Sequence, residues 1–347
     1  MFVLSCYHPL KGFPIGLTNS GKTQYKIVPY SVDHVELRNG KWVPIDCHMR
    51  SDAATKAVWD YIQIPCGKCV GCRLDYSRQW AYRCMLELEY HSSAYFVTLT
   101  YDEAHLPVVQ SEGGPVASLR KRDFQLFMKR LRKRFGEGIR FFAAGEYGSE
   151  TFRPHYHAII FGLDLDDLTI YKRSSIGYNY FNSKKLQDVW SVRNSSGELE
   201  PIGYAVVGSV TWETAAYTAR YVMKKLSGPE ASFYEDNGIE PPFSLMSRRP
   251  GIAYQWYVDH PGCAAEDYLV ISTEKGGMKF HPPRYFDRLF DVESPEDAKE
   301  VKDKRLRLAL NATRLKMRQC NYTYSQMLEV SENAKVNKIK ALRRDLI

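Results

Sequence analysis

The 347-residue sequence has no apolar run approaching the ~20 residues a membrane-spanning helix needs. Its opening, MFVLSCYHPL, has neither the basic flank nor the apolar length of a secretory leader. Internal repeats and low-complexity tracts are also missing, which excludes solenoid and fibrous architectures. A cytoplasmic protein with no membrane partner is the expectation. In that compartment the eight cysteines are expected to be thiols or metal ligands rather than disulfides.

What is present is the composition of a folded chain, 44% apolar and 25% charged, long enough for about two domains. The net charge of +8 is unevenly placed: from Lys299 onward basic residues outnumber acidic ones by 8, and Arg120 to Arg134 forms a second basic cluster. Clustered cations favour a polyanion, most simply nucleic acid. Twenty-four tyrosines would suit base stacking as well as packing.

Hydrophobic periodicity organises the middle of the chain. Tyr95 to Tyr101 is β-branched and aromatic and reads as a strand; Ser118 to Phe135 reads as an amphipathic helix with an apolar stripe at Phe124, Phe127, Met128, Leu131 and Phe135. Ile139 to Ala144 reads as a second strand, and Thr151 to Leu163 (TFRPHYHAIIFGL) as a third. Strand, helix, strand, strand is the first half of a ferredoxin-like split βαβ, so the expected class is α+β with an antiparallel sheet. Ile202 to Val210 supplies a further strand and Trp212 to Leu226 a helix, after a polar stretch from Asp164 to Glu200. The reading divides the chain into residues 1–72, short strands and turns; 73–227, the core; and 228–347, an irregular segment leading into basic helices. Gly16 to Thr23 matches the phosphate-loop pattern, but Pro14 stands just before it and a strand-like segment follows, so a plain turn is expected.

Cys66, Cys69 and Cys72 have the C-x-x-C-x-x-C spacing that lets thiolates converge on one tetrahedral ion, with glycines for the tight turns. A closed structural zinc site needs a fourth ligand. Cys6 is the leading candidate; His8 and Cys84 are the others.

His155 and His157 are two apart on a strand and therefore project from one face. Glu146, at the end of the neighbouring strand, can be brought alongside them by antiparallel pairing. Two imidazoles and one carboxylate with open positions suit Mg²⁺ or Mn²⁺ holding a phosphate oxygen. On the helix from Trp212, Tyr217 and Tyr221 are one turn apart and Lys224 follows on the same face. A phenol is a weak nucleophile at neutral pH, but a nearby cation and a metal-polarised phosphate offset that.

FVTLTY (96–101), RPHYHAIIFG (153–162) and YTARYVMKK (217–225) occur in the order of the three motifs of HUH endonucleases of the rolling-circle replication initiator class, which the sequence resembles. With the CYHP start, CGKCVGC and paired tyrosines it is similar, more narrowly, to replication initiation proteins of single-stranded DNA phages in the gokushovirus branch of the microviruses. The resemblance implies an HUH endonuclease core over 73–227. It also implies nicking of single-stranded origin DNA by a tyrosine, a 5′-phosphotyrosine intermediate, and rejoining of the strand. Glu146 stands where the family carries its third metal ligand, and Arg220 stands where phage initiators often carry Lys. Arg153 and the basic helix residues Arg130, Lys133 and Arg134 would bind the DNA backbone. No helicase-like segment is recognisable, so a host helicase and polymerase are the implied partners. Two alternatives are a non-catalytic, zinc-stapled nucleic-acid-binding module, with core histidines, and an HUH transposase or relaxase.

Overall fold

The computed structural model describes residues 6–19, 21–46, 56–148, 150–173, 177–221, 231–273 and 276–340. They form two compact units, one drawn from 1–75 and 302–343, the other from 76–301. This division differs from the three-part reading: residues 228–301 share a unit with the expected core, and the last helices join the N-terminal strands. Hydrophobic pattern marks elements but carries no signal for which distant segments pair.

In the first unit, Leu10–Leu17 pairs antiparallel with Thr23–Pro29 and with Ile62–Ile64. A second small sheet is centred on His34–Arg38, and Phe13, Val28, Val32 and Val35 form the buried cluster. Gly16 to Thr23 closes the first hairpin: Gly21 N donates to Thr18 O at 2.9 Å, with Gly21 in the left-handed region at φ 75°. The helix Tyr324–Lys340 belongs here, its Tyr324 hydroxyl accepting from Gln63 Nε2 at 3.0 Å.

The second unit is built on a seven-stranded sheet. Its order is Thr169–Arg173, Asn179–Asn182, Ala205–Ser209, Ala94–Leu99, Pro154–Phe161, Arg140–Tyr147 and Phe243–Met246. Every neighbouring pair is antiparallel. Ala94–Leu99 and Arg140–Tyr147 both oppose the strand between them, so they run parallel to each other, and the helix Lys121–Phe135 connects them. The class is mixed α+β with antiparallel sheets.

The central strand Pro154–Phe161 is covered on both faces. Tyr156, Ala158 and Ile160 pack toward Phe124, Phe127, Met128 and Leu131 of the helix Lys121–Phe135. Ile159 and Phe161 point the other way, into a cluster with Ala215, Ala216 and Ala219 of the helix Trp212–Tyr221. Fully burying a large apolar side chain contributes roughly 1.5–3 kcal/mol, so this strand is a rigid platform for any polar group placed on it. The alanines let the second helix approach closely. That helix starts at a reciprocal cap: Thr214 N donates to Thr211 Oγ1 at 3.2 Å, and Thr211 N to Thr214 Oγ1 at 2.8 Å.

Two segments read as polar or irregular contain structure. Thr169–Arg173 and Asn179–Asn182 extend one side of the sheet, and Phe243–Met246 forms the opposite edge. Thr169–Arg173 is exposed along its whole length and so lacks the apolar alternation that marks a half-buried strand. Among the described residues no helix is long and apolar enough to cross a membrane.

Candidate functional site

The strands Arg140–Tyr147 and Pro154–Phe161 are paired so that Glu146 faces His155 and Ala144 faces His157. Glu146 sits on the same side of the sheet as both histidines, the side covered by the helix Trp212–Tyr221. Its Oε1 lies 2.8 Å from His155 Nε2 and 3.4 Å from His157 Nε2. One ligand atom from each of the three lies within 4.8 Å of the others.

The second nitrogen of each ring is engaged. His155 Nδ1 donates to the Arg153 carbonyl at 3.0 Å, which fixes the proton on Nδ1. His157 Nδ1 is 3.0 Å from Thr98 Oγ1, on the neighbouring strand. Such outer contacts orient imidazoles so that Nε2 faces a metal. Glu146 and His157 are buried, whereas the His155 side chain keeps 20% of its surface. Burial alone would raise the Glu146 carboxyl; hydrogen bonds from His155 and His157 outweigh it and bring the group down to about 2. The carboxylate is therefore ionised at neutral pH. Two imidazole nitrogens and a charged oxygen, open on the His155 side, fit a hard or borderline divalent ion with free positions.

Tyr217 projects from the covering helix onto this cluster. Its ring centre is 5.3 Å from that of His157 and 6.2 Å from that of Phe96. Burial, and next the Glu146 charge, push its phenol above the usual value, while Arg220 opposes the shift with Cζ 5.9 Å from the ring centre. A groove beside it is lined by Phe96, Tyr178, Tyr180, Gly208, Thr214 and Tyr217, among others. Thr98, Phe96 and these two tyrosines were missed in the sequence. Thr98 lies within FVTLTY at a position alternating with the core, the only signal it had; Tyr178 and Tyr180 had none.

The helix is described as far as Tyr221. The side chain of Tyr221, and Lys224 altogether, lie outside the described residues. Arg153 opens the histidine strand; its Nη1 pairs with Glu103 and its Nη2 donates to Tyr101 O at 3.0 Å. The basic helix is not brought to this site: Lys121–Phe135 covers the opposite face of the sheet. On it, Arg130 Nε donates to Val189 O at 2.8 Å, Arg134 pairs with Asp188 at 3.0 Å, and Lys133 is exposed. Cys6, Cys66, Cys69 and Cys72 converge in the first unit. His8 instead pairs with Glu332 at 2.6 Å, and Cys84 is buried in the apolar cluster of the second unit.

Residues 94–227, which carry the whole cluster, match the family model for the replication-associated protein ORF2. The replication-associated protein ORF2 of Spiroplasma virus 4 is 34% identical over 290 residues, 82% of this chain and 85% of that protein. The replication-associated protein VP4 of Bdellovibrio phage phiMH2K is 30% identical over 241 residues, 67% and 69% of the two chains. The replication-associated protein ORF4 of Chlamydia phage 1 is 31% identical over 174 residues, 47% and 38% of the two. No solved structure matches the chain. With its coverage of the first two relatives, the chain belongs to the replication-associated protein family of the microviruses.

Proposed function

We propose that the protein is a replication initiator that nicks single-stranded origin DNA through a tyrosine and later rejoins the strand. In this reading the four central strands and their helices form a ferredoxin-like HUH endonuclease core. Glu146, His155 and His157 are its metal ligands, Tyr217 and Tyr221 its nucleophiles, and Lys224 and Arg220 the cations beside them. The observation that carries it is the Tyr217 ring packed 5.3 Å from the His157 ring, on the face of the sheet where the three ligands meet. A binding module with core histidines gives no reason for a phenol at that place.

Mg²⁺ or Mn²⁺ bound there supplies Lewis-acid polarisation of a non-bridging phosphate oxygen. The tyrosine oxygen attacks the scissile phosphorus and the bond to the 3′-oxygen breaks. That oxygen leaves as a hydroxyl, taking a proton, and the tyrosine keeps the 5′-phosphate. Glu146 fixes the histidines from the neighbouring strand, and Arg220 offsets negative charge as the phenol gives up its proton. Phe96, Tyr178 and Tyr180 offer stacking surfaces for a base next to the scissile phosphate. With two nucleophiles, one tyrosine can attack while its neighbour holds DNA, which is what rejoining a displaced strand requires. Strand unwinding and synthesis fall to a helicase and polymerase of the host, in whose cytoplasm the protein acts.

The test is cleavage of labelled single-stranded DNA carrying the cognate origin, with Mg²⁺, with Mn²⁺ and with chelator. Metal-dependent cleavage with a covalent protein–DNA adduct is expected. Stable DNA binding with no cleavage under any metal condition would leave the binding-module reading in its place.

A further inference from the structure

The cysteine cluster of the first unit plays no part in that chemistry, yet its geometry is equally specific. All four sulfurs, of Cys6, Cys66, Cys69 and Cys72, lie within 4.8 Å of one another. Cys66 Sγ is 4.0 Å from Cys72 Sγ, and Cys69 Sγ is 4.0 Å from Cys6 Sγ. Disulfide bonds are about 2.05 Å long, so these are contacts between free thiols. Four sulfurs at ~2.3 Å from a tetrahedral zinc would stand about 3.8 Å apart. So compact a set leaves room for one ion and none for the bridging sulfides of an iron–sulfur cluster.

Backbone amides surround the sulfurs. Lys68 N and Cys69 N donate to Cys66 Sγ at 3.4 and 3.3 Å, Cys66 N to Cys6 Sγ at 3.2 Å, and Tyr7 N to Cys69 Sγ at 3.3 Å. Amide donors of this kind stabilise thiolate rather than thiol and fix its direction. Gly67, at φ 75°, makes the turn that brings two of those amides round to one sulfur. Cys72 lies in the first turn of the helix Val70–Leu88 and Cys69 just before it, where a helix N-terminus favours negative charge.

We propose that Cys6, Cys66, Cys69 and Cys72 bind one structural zinc ion, at a site distinct from Glu146, His155 and His157. An all-sulfur donor set selects a soft or borderline metal and rejects Mg²⁺ and Mn²⁺. Four protein ligands fill the tetrahedron, and Cys6 and Cys69 are buried, so no position is left for substrate. The ion would tie Cys6, ahead of the first strand, to the turn and helix sixty residues later. The buried apolar cluster of this part is small, Phe13, Val28, Val32 and Val35, which is the situation in which small folds rely on a metal staple.

The full-length chain, purified without added metal, should carry one zinc per molecule that survives mild chelation and is released by an organomercurial in step with four thiols. Reconstitution with Co²⁺ should give tetrahedral d–d absorption together with a strong sulfur-to-cobalt charge-transfer band. Cys6→Ser and Cys72→Ser should each lose the zinc, whereas Cys320→Ser and His157→Ala should keep it. Retention in His157→Ala would separate this site from the proposed nicking site. Should the cysteine variants fold poorly, the wild-type readings decide. A chain without bound metal, one loaded only with iron, or a cobalt spectrum lacking the charge-transfer band would overturn the proposal.

Discussion

Glu146 and His155 face each other across one antiparallel register, with Oε1 and Nε2 2.8 Å apart, and the same oxygen reaches the next histidine along the strand. The contact is held from three sides. His155 is anchored by the Arg153 carbonyl, His157 by Thr98, and Glu146 by a strand buried at nearly every position. Geometry of this kind does not depend on a loop finding its place. It brings a charged oxygen and two ring nitrogens together before any ligand arrives.

His157→Ala and Glu146→Ala should therefore abolish metal-dependent cleavage of single-stranded DNA, by roughly 100-fold or more, as expected for losing a direct ligand. DNA affinity should stay within a few-fold of wild type, because phosphate contacts from basic residues dominate binding and neither change removes one. Cleavage rates and filter-binding or anisotropy titrations on the same preparations would check both halves. An equal loss of binding and cleavage would instead mean that the cluster holds the fold or the DNA. Thr98→Val, which removes only the His157 contact, should produce a milder defect that higher metal concentration restores.

Much of this was legible because strand periodicity and ligand chemistry point the same way. His155-x-His157 had to share a face, and Glu146 had to neighbour them once the two strands formed a hairpin. The helix Lys121–Phe135 was legible as an element, but not the face it covers. Its stripe of Phe124, Phe127, Met128 and Leu131 buries equally well on either side of a sheet, so its cations gave no hint that they lie opposite the histidines. Thr169–Arg173 and Phe243–Met246 were hidden for another reason. Edge strands gain their order from backbone pairing, which leaves little trace in side-chain pattern. Cys6 could be paired with the other three cysteines only by chemistry, since nothing in the intervening residues sets the closure.

Glu87 makes a second buried carboxylate network, on the same unit but outside the site. It pairs with Arg140, meets His91 Nε2 at 3.3 Å and accepts from Ala253 N at 2.6 Å. Burial would raise its carboxyl, but these partners overcome that and hold it below the usual value. A depressed folded-state value stabilises the fold above the unfolded-state pKa of ~4.3, and the contribution is lost as pH falls through the folded value. Glu87→Ala should destabilise the protein by on the order of 3 kcal/mol at pH 7, by leaving Arg140 unpaired. Denaturant unfolding from pH 7 to pH 3 should show the difference between variant and wild type shrinking toward acid. A constant difference would assign the loss to packing.

Tyr180 lines the groove beside Tyr217, with Phe96 and Tyr178. If a base stacks there, Tyr180→Ala should weaken binding of short single strands spanning the scissile phosphate by about 1–3 kcal/mol, while Tyr180→Phe or Tyr180→Trp should restore it. Binding of strands that end before that phosphate should not change. Rescue by Phe is the informative arm, because a hydrogen-bonding role for the hydroxyl would not survive it.

The tyrosine helix carries the last prediction. Tyr217 meets the histidine cluster through its ring, and the Ala215, Ala216 and Ala219 side chains seat its helix close against the sheet. Burial and the Glu146 charge keep its phenol protonated at neutral pH, so cleavage should accelerate as pH rises above 7 until folding or metal binding fails. Tyr221 is one turn further along, near enough in sequence for the two to alternate at one phosphate. Tyr217→Phe or Tyr221→Phe alone should leave some nicking and reduce rejoining, measured as circular product from a substrate with two origin copies. The double variant should form no covalent adduct with DNA, read as loss of the slow-migrating labelled band on a denaturing gel, while still binding the strand. An adduct that persists in the double variant would place the nucleophile on another residue and leave Tyr217 as a packing partner of His157.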